Sequence, residues 1–169
     1  MEIKHPMRAV GYGEIEPGHL FYAWMMGRMR FGMRATVEKE REPVCVVLRP
    51  GVVKTKGQPA TPGVVKPPMP DGLVAPLVAA FIALPALPDD FEVAEANLPM
   101  GAVACREDGS TFLVISSPDA KFDRALLNLA VGAIVYPAAG GRFSVFKSWS
   151  IRMREDPASF ELPGQRPKD

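Results

Sequence analysis

The sequence predicts a mainly β fold with one or two helices, arranged as two related small β-barrel-like units of SH3-like or OB-like size. Three observations carry this. Apolar and polar residues alternate with period two in several runs, which is the mark of strands with one face buried. Eighteen prolines and fifteen glycines punctuate those runs. Finally, the two halves resemble each other at a constant offset: Val10, Ile15, Gly18 and Leu20 face Val93, Leu98, Gly101 and Val103, a pattern expected of an internal duplication.

Taken in order, Leu20 to Met26 reads as a strand apolar on both faces. In the next, Met29, Phe31, Met33, Ala35 and Val37 share one face, while Arg28, Arg30, Arg34, Thr36 and Glu38 share the other. Val44 to Leu48 is a short apolar strand. Six prolines between Pro50 and Pro70 make a loop or linker, and Asp71 is placed to cap an apolar helix from about Val74 to Leu84. Beyond it, Val103 to Arg106 and Thr111 to Ser116 flank a turn at Asp108-Gly109. Ser117-Pro118-Asp119 supplies an N-cap, a first-turn proline and an acid, so a helix is expected from Pro118 to Val131. Ala133 to Tyr136 and an alternating run from Phe143 to Met153, broken at Phe146-Lys147, complete the set. In the repeat, FGMRAT stands opposite FLVISS and VCVVLRPG opposite GAIVYPAAG, with the second helix as an insertion. The expected organisation is an N-terminal β unit (1–66), a Pro-rich linker with an apolar helix (67–90), a C-terminal β unit (91–154) and a flexible tail (155–169).

Composition narrows the function classes. Twenty Lys and Arg against nineteen Asp and Glu give a net charge of +1, which excludes a strongly cationic nucleic-acid wrapper. Basic residues dominate the first 69 positions and acidic residues the rest, so the halves present different surfaces. The charged start and the proline-interrupted run from Gly72 to Pro88 offer neither a signal peptide nor a membrane helix, and a cytoplasmic protein with no membrane contact is expected. Two cysteines, Cys45 and Cys105, fit reduced, buried thiols.

Candidates for chemistry are few. His5 lies beside Pro6 near the start; His19 follows Pro17-Gly18 at a corner with no acid or nucleophile adjacent in sequence that would make it a general base. Asp89-Asp90 and Glu107-Asp108 are adjacent pairs in turns, unlike the facing carboxylates of a hydrolase. Metal-ligand spacings, a P-loop, GxGxxG and GxSxG are missing, so no cofactor and no metal are expected. Arg28, Arg30 and Arg34 at period two form the one patch with directional charge, suited to an anion or polyanion. Arg30 and Arg34 also make an Arg-x-x-x-Arg that resembles half the signature of PilZ-type cyclic-dinucleotide receptors, themselves small β-barrels. The other half, Asp/Asn-x-Ser-x-x-Gly, is not met, since Asp108 and Ser110 are followed by Leu113 where glycine belongs. That family is therefore not assigned. Tyr22, Trp24 and Met26, of types enriched at interface centres, mark a candidate contact with a protein partner or a second copy. The expected function is a non-catalytic binding or assembly module. The alternatives are anion or nucleic-acid binding through the arginine-lined strand and, more weakly, a thiol-dependent enzyme built on Cys105.

Overall fold

The computed structural model describes residues 9–25, 27–37, 43–48, 51–52, 63–65, 72–78, 80–85, 91–95, 97–119, 121–136 and 141–153. The fold is mainly β, and no α-helix occurs among these residues. In chain order the strands are β1 (Val10–Gly11), β2 (Leu20–Met25), β3 (Arg28–Val37), β4 (Pro43–Leu48), β5 (Gly51–Val52), β6 (Gly63–Val65) and β7 (Leu73–Pro76). They continue with β8 (Ala80–Ala83), β9 (Phe91–Ala94), β10 (Val103–Arg106), β11 (Thr111–Ser116), β12 (Arg124–Asn128), β13 (Ala133–Val135), β14 (Phe143–Phe146) and β15 (Ser148–Met153). A 3-10 turn spans Tyr12–Glu14, its entry held by the Gly11 amide donating to Glu14 Oε1 at 2.8 Å.

One sheet runs β1-β7-β2-β3-β13-β12-β11-β10-β14-β9, with β4 on β3 and β6 on β4; it stays open, β1 and β9 forming its ends. A smaller sheet has the order β5-β15-β8. Among the described residues three joints tie early to late strands, one of them β5 on β15, where Gly51 stands opposite Trp149. β13 runs parallel to β3, with Ala133 opposite Thr36 and the Thr36 amide donating to Gly132 O at 2.8 Å. β8 and β15 run antiparallel, with Ile82 opposite Ile151.

Three apolar clusters follow from the period-two alternation. The central one lies between the inner faces of both sets of strands and includes Leu20, Met33, Ala35 and Val46 together with Val103, Leu113, Leu127, Trp149 and Ile151. Tyr12, Ile15, Phe21, Ala23, Met25, Cys45, Val47 and Val74 form a second, on the outer face of the early strands. A third, with Leu98, Ala104, Phe112, Val114, Leu126 and Phe143, occupies the corresponding place on the late strands.

The early and late strands share one local architecture. Gly18 and Gly101 both have positive φ, +84° and +83°. Gly18 N donates to Arg34 O and Arg34 N to His19 O; likewise Gly101 N donates to Val114 O and Val114 N to Ala102 O. His19 N reaches Glu16 O and Ala102 N reaches Pro99 O, each at 3.1 Å. From these bonds Leu20 corresponds to Val103 and Met33 to Leu113, pairs that are themselves cross-strand partners. The correspondence carries through to β4 with β12, β6 with β13 and β7 with β14.

Both expected helices are replaced by strands. Val74 to Leu84 instead holds β7, which pairs with β1 and β2, and β8, which pairs with β15. Among the described residues of this run only Val74 and Leu77 are fully buried, while Val78 and Phe81 stay exposed, so its uniform apolarity does not reflect burial all round. The run Ala125-Leu126-Leu127 is likewise β12: Ala125 and Leu127 enter the central cluster while Leu126 faces the other way into the third. An apolar run this short fits either period. The capping residues work on a turn instead. Asp119 N donates to Ser117 Oγ at 3.0 Å and Lys121 N to Asp119 Oδ1 at 2.9 Å, satisfying the donors a helix would have left open. At the far end Asn128 Oδ1 accepts from Ala130 and Val131, closing a turn into β13. The sequence pairing of VCVVLRPG with GAIVYPAAG is corrected accordingly, because β4 corresponds to β12. FGMRAT is out by one residue, Gly32 rather than Phe31 corresponding to Phe112.

Candidate functional site

The arginine strand is placed differently from a solvated face. Gly32 and Arg34 lie on the side of β3 that carries the second cluster, beneath Tyr12, Ile15 and Phe21. Arg34 Nη1 donates to Gly13 O at 2.8 Å and also to Ile15 O, and its guanidinium stands 5.6 Å from the Tyr12 ring centroid. It thus pins the chain before the Gly18 corner, a use suited to a rigid, multi-donor group. Arg30 Nε donates to Met25 O at 3.1 Å. The Arg28 backbone lies in β3, but its side chain is outside the described residues, as is Met26.

On the opposite face of the hairpin, Tyr22 is half-buried and its ring centroid lies 4.9 Å from that of Phe31. Trp24 is 66% exposed, beside Met29 at 43%. The strand therefore has one uncovered apolar end. The expectation that both faces are covered holds for Leu20, Phe21, Ala23 and Met25 and stops at Trp24.

Both cysteines are free. Cys45 is fully buried, and that burial pushes its thiol up to about 12. Cys105 is only half-buried, and its Sγ faces Thr111 Oγ1 at 3.8 Å rather than an imidazole. Asp108 is held below the usual carboxylate range by the Ser110 amide, which donates to it at 2.8 Å across the turn. Among the described residues no three His, Cys, Asp or Glu side chains gather as metal ligands.

Sequence reasoning missed a half-open cleft of about 400 Å³ between early and late strands. It is lined by Gly18, His19, Leu20 and Met33, by Leu77, Ala80, Ile82 and Leu84, and by Val103, Thr111, Leu129 and Ala130. Val78 and Phe81, 85% and 40% exposed, stand at its rim. The lining is predominantly aliphatic with His19 and Thr111 as polar side chains, the composition of a small-ligand site. His19 keeps Nδ1 3.8 Å from Glu16 Oε2. No linear motif announces such a site, because its lining comes from six separated segments.

No helix among the described residues is long and apolar enough to cross a membrane. Comparison of the chain with protein-family models, with curated proteins and with solved structures returned no match.

Proposed function

We propose that the chain is a non-catalytic binding module whose site is the cleft between the early and late strands. The observation that carries this is the lining: ten aliphatic or small apolar side chains and Phe81, from six segments in all, converge with only His19 and Thr111 to orient a guest. A cleft of about 400 Å³ is within the range that small ligands occupy. Common ancestry of the two sets of strands accounts for its position, since a cleft where two copies of one unit meet is a natural product of duplication. The arginine-lined strand is the weaker reading, because Arg34 directs Nη1 onto two backbone carbonyls.

The test is a titration with an environment-sensitive naphthalene sulfonate dye. Saturable fluorescence enhancement in the native chain, reduced at least tenfold in apparent affinity by Ala80→Leu and Thr111→Leu together, is the expected result. Enhancement that ignores both substitutions, or none in the native chain, removes the cleft as the site.

A further inference from the structure

The cleft has a counterpart that is filled, and what fills it identifies the guest. Leu77 N donates to Leu20 O, and Phe146 stands opposite Val103 in the ladder, so Leu77 and Phe146 correspond. Counting on, Ala80 corresponds to Trp149 and Ile82 to Ile151. The β8–β15 ladder is compatible with this count, since it sets Ile82 directly opposite Ile151. Trp149 is 4% exposed in the central cluster, and its Nε1 donates to Gly101 O at 2.8 Å. Gly18, the counterpart of Gly101, lines the cleft together with Ala80. Thus where one half places an indole with its N–H on a corner carbonyl, the other places a methyl group and leaves a cavity.

We infer that the cleft takes a planar bicyclic aromatic ring bearing one N–H donor, an indole, with its N–H directed at the Gly18 carbonyl. This rests on the cleft being the binding site and names its guest. Leu20, Leu77 and Val103 supply apolar lining, and their counterparts Val103, Phe146 and Leu20 belong to or pack against the central cluster that holds Trp149. Thr111 and His19 are the polar side chains of the lining available to a polar substituent on the ring. The ring has two sources of the same chemistry: a free indole compound, or the indole of Trp24 from a second copy, which is 66% exposed.

The experiment titrates the full chain with indole, 1-methylindole and naphthalene, following affinity by calorimetry and the Gly18 carbonyl by carbon-13 NMR. The inference expects indole to bind with its largest carbonyl shift at Gly18, 1-methylindole to bind at least tenfold more weakly, and Ala80→Trp to abolish indole binding. If Ala80→Trp does not fold, Ala80→Phe and the three-ligand series in the native chain decide. Equal binding of all three with no Gly18 shift overturns the indole inference and leaves the cleft as a binding site. Failure of all three overturns both. Indole binding that survives Ala80→Trp also overturns it. Light scattering separates the sources: self-association lost in Trp24→Phe and competed by free indole assigns the ring to a second copy, while a monomer that binds indole assigns it to a small molecule.

Discussion

Phe21 lies across the β2–β3 ladder from Gly32, and its ring occupies the space a side chain on β3 would take: a Cβ built on Gly32 would sit 2.5 Å from Phe21 Cζ. The late strands solve the same problem in reverse, pairing Ala104 with Phe112. Each cross-strand pair thus contributes one large ring to its outer cluster. Gly32→Ala forces the Phe21 ring away from Tyr12, whose ring centroid is 5.5 Å distant. Overpacking of this kind costs about 1–3 kcal/mol. The expected outcome is a lowered urea midpoint with unchanged slope, and partial recovery in Gly32→Ala combined with Phe21→Leu.

Gly132 is the tighter restriction. It has φ +67°, and a Cβ there would collide with the Gly18 amide nitrogen and crowd Arg34 O. Gly132→Ala therefore combines backbone strain with a backbone clash that no rotamer change relieves. It is expected to lower the melting temperature more than Gly32→Ala does, and to disturb amide signals of Gly18 and Thr36 first.

Arg34→Ala leaves Gly13 O and Ile15 O without the guanidinium donor and uncovers the Tyr12 ring. Loss of a charge-assisted pair of this type costs about 1.5–3 kcal/mol. Arg34→Lys is expected to recover less than half, because one ammonium lacks the planar fork. Thermal unfolding of the three proteins checks this, and recovery to the native melting temperature by lysine would contradict it.

Cys45 makes stability depend on pH in a stated direction. Its thiol lies at about 12 in the folded chain against 9.0 when unperturbed, so the folded state holds a proton that the unfolded state releases. The stabilisation is complete below pH 9 and falls between pH 9 and 12 by about 1.4 kcal/mol per pH unit. Cys45→Ala is expected to flatten that part of the profile while lowering the plateau. Thiol labelling at pH 8 is expected to stop at Cys105 until the chain unfolds.

Arg28–Val37 was legible from its alternation, and Val103–Arg106 and Thr111–Ser116 as short runs on either side of the Asp108-Gly109 turn. The apolar runs from Val74 to Leu84 and from Ala125 to Leu127, without such a turn, were not. Ala125-Leu126-Leu127 carries no period of its own, and Ser117-Pro118-Asp119 offers the same donors and acceptors to a turn as to a helix. The break noted at Phe146-Lys147 is where β14 ends and β15 begins, leaving one sheet for the other. Arginine spacing could be read, but not that Arg34 would reach back across the sheet to Gly13, since that contact joins residues 21 apart. The cleft could not be read for a related reason: Ala80 and Trp149 are linked only by the register of β8 on β15.

Binding in the cleft is tested most directly by an amide shift map of the native protein against a set of small aromatic and aliphatic fragments. The predicted result is one cluster of perturbed signals on Gly18, His19, Ala80, Thr111 and Ala130, erased by Ala80→Trp; perturbations centred on Arg30 and Arg34, or unaltered by that substitution, would contradict it.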